Sequence, residues 1–200
     1  MSKNGNMSVW SADYWRTASS EFKKIKVLTF AALVITLSVV LGFFYIPVAL
    51  NLHISFTFLL MSFGAMVYGP LVGLLVGALF DIISFIVHPF GGYFPGYTLS
   101  AMLGCFIYGL FLYQSRITIL RIFLAKLIVN YGVNVGLGSL WSSILFGKGY
   151  LFFLGNSMIK NTVMLPIEVT MLVIFLQVFL PFFVRTGIMP GKNLKHISFI

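Results

Sequence analysis

The amino-acid sequence predicts an all-α integral membrane protein, with six transmembrane helices in a compact bundle and both termini in the cytoplasm. Of the 200 residues, 60% are hydrophobic and only 8% are charged, whereas soluble domains contain about half apolar and about a quarter charged residues. So much apolar surface can be neither hidden inside a soluble domain of this length nor left solvated as a disordered chain. The formal charge of +9 does not indicate nucleic-acid binding, because the basic residues flank apolar segments.

Residues 1–26 precede the first long apolar segment and are basic. We expect them to be retained as a cytoplasmic or interfacial segment, because the apolar run that follows lacks a small-residue cleavage site within signal-peptide length. Residues 14–24 form either a short interfacial helix, with Trp10, Tyr14, Trp15 and Phe22 at the headgroup level, or a frayed basic tail. The membrane domain is expected at residues 27–184, followed by a cytoplasmic tail at residues 185–200.

A membrane-spanning helix needs about 20 mostly apolar residues. Such segments are predicted at residues 27–46, 56–68, 71–88, 98–113, 117–146 and 162–183. Gly69 and Pro70 separate the second and third segments, and proline ends a helix at the preceding residue, so these two segments should form a tight hairpin. The fifth segment is longer than a straight crossing requires, and we expect it to tilt or to extend out of the bilayer at one end.

The distribution of lysine and arginine predicts the orientation of the helices. With both termini on one side, that side carries Lys3, Arg16, Lys23, Lys24, Lys26, Arg116, Arg121, Arg185, Lys192 and Lys195. The other side carries only Lys148 and Lys160, and Lys126 lies within the fifth segment. The positive-inside rule therefore places both termini in the cytoplasm and residues 47–55, 89–97 and 147–161 outside, where a ligand would be captured.

Charged side chains inside the bilayer are costly unless they face the bundle or water, so each one is a candidate functional residue. Asp81 shares a helical face with Ser84 and His88. Its carboxylate either binds a ligand or accepts a hydrogen bond from a neighbouring helix, and the sequence leaves both possibilities open.

The fifth segment has a polar face that should point inward. Lys126, Asn130 and Asn134 recur every four residues, and Trp141 continues this face toward the outside. Interhelical hydrogen bonding explains such residues as well as ligand binding does. We expect ligand contact from Asn134 and Trp141, and a structural role for Lys126.

The start of the sixth segment carries Lys160 and Asn161, with Glu168 deeper on the same face. Lys160 is external and could meet an anion, and Lys148 could do so too unless it is simply solvated. Glu168 is expected to pair with a cation such as Lys126. Phe94, Tyr97 and Tyr93, where the fourth segment begins, either stack on a flat ligand or anchor the membrane interface.

The sequence gives little support for catalysis. It contains no HExxH motif, no phosphate-binding GxxxxGK[ST] motif and no recognisable catalytic triad. Cys105 is the single cysteine, and the three histidines are scattered, so neither a metal site nor a cofactor is predicted. Gly69, Gly73 and Gly77 recur every four residues, which in lipid is typical of close helix packing.

Four stretches of the chain resemble the S-components of energy-coupling-factor (ECF) vitamin transporters, especially the folate-type group. These stretches are residues 53–85, 91–113, 121–150 and 159–169, which include HISF, GGYFPGY, AKLIVNYGVN and IKNTVMLPIEV. The resemblance implies a six-helix bundle in the bacterial cytoplasmic membrane that binds a vitamin on its external side. It also implies as partners a transmembrane coupling protein and two cytoplasmic ATPases, so that this chain is not itself an enzyme.

The family's coupling motif is a pair of small residues four apart on the first helix, which allows close approach of the partner. The matching residues are Ala32 and Thr36. The chain departs from the family pattern at three ligand-side positions, with His53 in place of a basic residue, Gly138 in place of asparagine and Ser157 in place of arginine. His53 is expected among the substrate-binding residues.

The ligand most compatible with the resemblance is folate, which requires aromatic stacking around its pterin and cations near its carboxylates. Phe94, Tyr97 and Trp141 could supply the first, and Lys148 or Lys160 the second. Pantothenate or another vitamin remains the alternative. More remote alternatives are a membrane-embedded enzyme that uses Asp81 and Glu168, and a stand-alone ion-coupled carrier, although no internal repeat supports the carrier.

Overall fold

The computed structural model describes residues 9–49, 52–89, 92–115 and 117–185. The elements are α1 (Ala12–Ser20), a 3-10 turn (Glu21–Lys23), α2 (Ile25–Gly42), β1 (Tyr45–Ala49), β2 (Leu52–Ser55), α3 (Thr57–Val87), α4 (Pro95–Leu112), α5 (Ile119–Ile128), a π-helical segment (Val129–Leu137), α6 (Gly138–Phe146) and α7 (Tyr150–Arg185).

In the part of the chain that the structure describes, five helices are long and apolar enough to cross a membrane. They are Ile25–Gly42, Thr57–Val87, Pro95–Leu112, Ile119–Phe146 and Tyr150–Pro181. Many of their large apolar side chains are exposed at the protein surface, as expected for helices that face lipid rather than water. The prediction of a helical membrane protein is therefore confirmed.

Helix α3 is interrupted at Gly69, where the backbone adopts φ 82° and ψ 177°. Only glycine adopts this φ readily, and the following Pro70 removes a backbone donor that a continuous helix would need. The two ends of α3 line the same cavity, since Thr57 and Asp81 both border it. The chain therefore doubles back at Gly69, in agreement with the hairpin predicted between the second and third segments.

Helices α3 and α4 approach closely through small residues, as the four-residue glycine spacing predicted. A Cβ atom on Gly77 would lie 2.6 Å from the Ala101 carbonyl oxygen, and one on Gly73 would lie 3.1 Å from the Cys105 carbonyl oxygen. On α4, a Cβ atom on Gly109 would lie 2.5 Å from the Cα atom of Pro70. Backbone contacts this short leave no room for side chains at the interface.

Two regions predicted as external segments contain regular secondary structure. Residues 47–55 contribute to an antiparallel hairpin, in which Tyr45 pairs with Ser55 and Pro47 pairs with His53. Helix α2 consequently ends at Gly42 rather than at residue 46, because the β-branched and aromatic residues after Phe44 favour a strand. Helix α7 begins at Tyr150, so most of the predicted external segment 147–161 is its first three turns.

Residues 12–23 form a docked helix and a 3-10 turn rather than a frayed tail. Tyr14 is fully buried, and its hydroxyl donates to the Gly109 carbonyl oxygen at 3.2 Å. The Tyr113 hydroxyl donates to Glu21 Oε1 at 2.8 Å, and the rings of Tyr14 and Tyr113 make an edge contact at 5.7 Å. The N-terminal helix thus packs where α4 ends and α3 reverses.

Candidate functional site

Two neighbouring cavities share Ser55 and Tyr97 in their walls. The first has a volume of about 380 Å³ and lies between α2, the far end of α3 and the segment that leads into α4. It is lined by Val39, Gly42, Ser55, Thr57, Phe80, Asp81, Ser84, Phe85, His88, Gly92, Tyr93, Phe94 and Tyr97. Its wall combines aromatic rings with one carboxylate.

The second cavity has a volume of about 420 Å³ and lies between α4, the π-helical segment, α6 and α7. It is lined by Ser55, Tyr97, Ser100, Val133, Asn134, Gly138, Ser142, Ser157, Lys160, Asn161, Met164 and Glu168. Its wall is richer in hydroxyl and amide groups than that of the first cavity, and it contains an ammonium group. Since the cavities meet at Ser55 and Tyr97, an elongated ligand could occupy both.

Aromatic residues cluster where the cavities meet, as predicted from the sequence. Phe94 lies between Tyr97 and Trp141, with ring centroids 6.0 Å and 5.7 Å away. The indole Nε1 of Trp141 donates to Ser100 Oγ at 3.0 Å. Helix α4 begins at Pro95, because proline is favoured at the first helical position. Phe94 is the residue directly before this first turn. Trp141 itself lines neither cavity, but its ring contacts that of Phe94.

Asp81 borders the first cavity together with Ser84 and His88, so the polar stripe predicted on this helix faces inward. The Thr98 hydroxyl on α4 donates to Asp81 Oδ2 at 2.6 Å, and the Tyr93 hydroxyl lies 2.9 Å from Thr98 Oγ1. The interhelical hydrogen bond considered as one explanation for Asp81 is therefore present. It fixes the carboxylate without removing it from the cavity wall.

Glu168 lies at the deep end of the second cavity and pairs with Lys126, as predicted. Glu168 Oε2 lies 3.2 Å from Lys126 Nζ and accepts a hydrogen bond from Asn130 Nδ2 at 2.8 Å. Lys126 is 2% exposed, and its ammonium group lies 3.9 Å from the centroid of the Phe58 ring. These contacts give Lys126 a counter-charge inside the bundle.

Asn134, Lys160 and Asn161 all line the second cavity. The amide nitrogen of Asn134 lies 3.5 Å from Asn130 Oδ1, a long contact that leaves the Asn134 side chain largely available. Asn161 Nδ2 donates to the Ser157 carbonyl oxygen at 2.9 Å, one turn earlier on α7. The first part of α7 therefore carries Lys160 and Asn161 to the cavity, and the π-helical segment carries Asn134.

The two remaining predicted binding residues are Lys148 and His53. The exposed Lys148 points its ammonium group at the Phe152 ring, 5.1 Å from the centroid, and lines neither cavity. The backbone of His53 lies in β2, but its side chain falls outside the described part of the structure. Ala32 and Thr36 are exposed on α2, and Thr36 Oγ1 donates to the Ala32 carbonyl oxygen at 2.9 Å.

Several residues of the site were not identified from the sequence. Ser55 and Ser100 line the cavities, and Thr98 donates to Asp81. All three are ordinary polar residues, and only the packing of the chain shows what they contact. The π-helical segment Val129–Leu137 was also missed, although such segments are frequent at functional sites. Within residues 9–185, the described positions include no cluster of three or more metal-ligating acidic, histidine or cysteine residues.

Comparison with known proteins identifies relatives of this chain. Residues 26–189 match the model of the family described as "ECF transporter, substrate-specific component". The folate transporter FolT of Clostridium novyi (strain NT) is 35% identical over 146 residues, which cover 73% of this chain and 85% of that protein. The folate transporter FolT of Leuconostoc mesenteroides subsp. mesenteroides is 31% identical over 156 residues, and the match covers 74% of this chain and 84% of that protein.

A solved structure is also similar. The crystal structure of FolT bound with folic acid superposes with a TM-score of 0.65 at 33% sequence identity, and the match covers 73% of this chain and 88% of that chain.

Proposed function

We propose, since this chain belongs to the family of ECF transporter substrate-specific components, that it captures folate outside the cell for uptake by an ATP-driven importer. The observation that supports folate most directly is the pair of neighbouring cavities, with aromatic rings in and beside the first and Lys160 in the second. A flat heterocycle linked to an anionic tail needs both features. The two FolT relatives and the FolT structure bound with folic acid support the same ligand.

The proposal includes the arrangement of the chain in the membrane. Helix α3 doubles back at Gly69, so we count it as two crossings, which makes six in total. With six crossings both termini lie on one side, and the excess of basic residues there assigns that side to the cytoplasm of a bacterial cell. Residues 1–26 and 185–200 would then be cytoplasmic, and the cavities would open toward the outside.

Uptake would require partner subunits. The sequence contains no phosphate-binding GxxxxGK[ST] motif, so a transmembrane coupling protein and two ATPases would supply the energy, as the family implies. Ala32 and Thr36 lie one turn apart on the exposed face of α2, and the Thr36 hydroxyl bonds back to its own helix. This face therefore offers a partner helix small, internally satisfied groups, which favour close packing in lipid.

The bonding partners of Asp81 and Glu168, the two acidic residues considered for a membrane-embedded enzyme, disfavour that function. Glu168 is neutralised by Lys126, whereas Asp81 is bonded to Thr98 on a different helix. The two carboxylates line different cavities, and this arrangement gives no support for joint action on one reacting bond. Selective binding without turnover fits the site better.

Calorimetric titration of the detergent-purified protein with folate and with pantothenate tests this function. We expect folate to bind with a Kd below about 1 µM, which corresponds to about 8 kcal/mol, and to be recovered unchanged. Pantothenate should bind at least about a hundredfold more weakly, because it leaves the aromatic cluster uncontacted. Tight binding of pantothenate instead of folate would overturn the proposal.

A further inference from the structure

The chain turns between the N-terminal helix α1 and the first membrane-spanning helix α2, and this basic corner exposes Phe22, Lys23, Lys24, Ile25 and Lys26 in succession. On the basis of the membrane arrangement proposed above, we infer that the basic corner binds anionic lipid headgroups of the cytoplasmic leaflet. Its two apolar side chains enter the boundary of the lipid chains, and its lysines contact the phosphates.

The depth of the basic corner in the membrane follows from the length of α2. This helix contains 18 residues, which span about 27 Å at about 1.5 Å per residue, whereas the hydrocarbon core is about 30 Å thick. Ile25, its first residue, is 80% exposed and therefore lies where the hydrocarbon meets the headgroups. An acidic soluble protein would match the charge of the lysines, but it would leave this isoleucine uncovered at the depth of the lipid.

The positive charge of the basic corner is only partly compensated by the protein. Lys24 Nζ lies 2.8 Å from Glu21 Oε1, an oxygen that also accepts from the Tyr113 hydroxyl. Lys23 and Lys26 form no ion pair in the part of the chain that the structure describes. Basic residues close to an anionic leaflet are attracted to it, and their contributions accumulate. The corner therefore favours an anionic lipid surface over a zwitterionic one.

The docked N-terminal helix holds the basic corner in place. Tyr14 is buried against Tyr113, and its hydroxyl donates to the Gly109 carbonyl oxygen. The ring of Trp15 stacks on that of Phe106 on α4, with centroids 6.2 Å apart and planes at 27°. Lipid bound to the corner therefore meets a surface attached to the bundle on both sides, and such binding to the folded state stabilises it.

Trypsin digestion of the full-length protein in lipid nanodiscs tests this inference, because trypsin cuts after lysine and reaches both faces of a nanodisc. Nanodiscs of phosphatidylcholine alone are compared with nanodiscs that also contain phosphatidylglycerol. We expect cleavage at the basic corner to slow by about tenfold or more in the anionic nanodiscs, and high salt to remove this protection. Cleavage after the exposed Lys148 is the internal control, and its rate should change by less than about twofold, since a single cation is attracted only weakly.

A variant separates lipid insertion from the effect of charge alone. Ile25→Asn keeps all three lysines of the basic corner but removes its most exposed apolar side chain, and it should lose at least about half of the protection. Ser19→Asn is the matched control, because it introduces the same side chain at an exposed position of α1, and it should keep the full protection. Equal slowing at the corner and at Lys148 would overturn the inference, as would protection that appears only when a partner protein is added.

Folate titration in the same nanodiscs distinguishes this inference from the proposed function. The basic corner lines neither cavity, so folate should bind equally well in the two lipid compositions and to Ile25→Asn. Unprotected lysines together with normal folate binding would refute the lipid contact alone. Protected lysines without folate binding in either lipid would refute the proposed ligand and support the lipid contact.

Discussion

The Glu168 carboxylate joins two helices of the bundle through one oxygen, which lies 3.2 Å from Lys126 Nζ and accepts from Asn130. Lys126 has only 3% of its side chain exposed, and Glu168 has 15%. This pair connects α7 to α5, and Glu168 also lines the second cavity.

Removing one partner of this pair should be more harmful than removing both. Glu168→Gln leaves the buried ammonium group of Lys126 without a counter-charge, and we expect it to destabilise the protein by about 3–5 kcal/mol. The double variant Lys126→Met/Glu168→Gln should recover much of this loss, because it leaves no buried charge. Thermal unfolding in detergent measures the stability of the single and the double variant. A double variant that is less stable than Glu168→Gln would contradict this account of the pair.

Two residues of the second cavity should contribute directly to folate affinity. Asn134→Ala and Lys160→Ala should each weaken binding by about tenfold or more, since each removes a hydrogen bond to a polar or charged ligand group. Lys148→Ala provides the matched control, because Lys148 is exposed and lines neither cavity. This variant should bind folate with the affinity of the wild type. Titration calorimetry gives all three affinities. Wild-type affinity in both cavity variants would place the ligand elsewhere.

The exposed face of α2 should matter for uptake but not for binding. Ala32→Trp introduces a large ring on this face, which blocks close approach of a partner helix, and it should abolish folate uptake by cells. Binding to the purified variant should remain intact, since Ala32 lines neither cavity. Leu28→Trp, at an exposed position one turn earlier, tests whether any large residue on α2 has this effect. Normal uptake by Ala32→Trp would exclude this face as the partner surface.

Close packing of α3 against α4 makes a prediction about glycine. Gly77→Ala should destabilise the protein by about 1–3 kcal/mol, because the new Cβ would lie 2.6 Å from the backbone oxygen of Ala101. Gly104→Ala on α4 is the control, since its Cβ would meet only Val129 Cγ1 at 4.0 Å. Equal unfolding temperatures for the two variants would show that the helices are not packed as described.

The docked N-terminal helix should lose stability at high pH. Burial raises the pKa of Tyr14 to about 12 from the ordinary value of 10, so the folded protein favours the neutral phenol. The resulting stabilisation is complete below pH 10 and is lost as the pH rises through about 12. Thermal unfolding followed from about pH 8 to about pH 11.5 should show a smaller decline for Tyr14→Phe than for the wild type. An identical decline would indicate that Tyr14 titrates normally.

Local features of the fold could be predicted where one residue type dictates them. Gly69 with Pro70 predicted the reversal of α3, and a buried Lys126 predicted a carboxylate partner, because an unpaired charge in the bilayer is so costly. The hairpin β1–β2 was missed because its residues were divided between the end of the first predicted helix and an external segment, and a proline within a run argues against a strand.

The site was predicted in part for a related reason. Asp81, Asn134 and Lys160 stand out in sequence because polar groups are rare in these helices. The residues that contact the site do not stand out in sequence. The contacts of Thr98 with Asp81 and of Ser100 with Trp141 depend on how each helix is rotated about its axis. The sequence pattern fixes the inward face of one helix but not the residue of a neighbouring helix that meets it.

Quenching of Trp141 fluorescence by folate tests the central claim most directly, because Trp141 packs against Phe94 at the junction of the two cavities. The chain has three tryptophans, so the variant Trp10→Phe/Trp15→Phe leaves Trp141 as the sole emitter. We predict saturable quenching with one folate bound per chain, and no saturable quenching by pantothenate. Quenching that rises linearly with folate concentration, as for free tryptophan, would contradict the account.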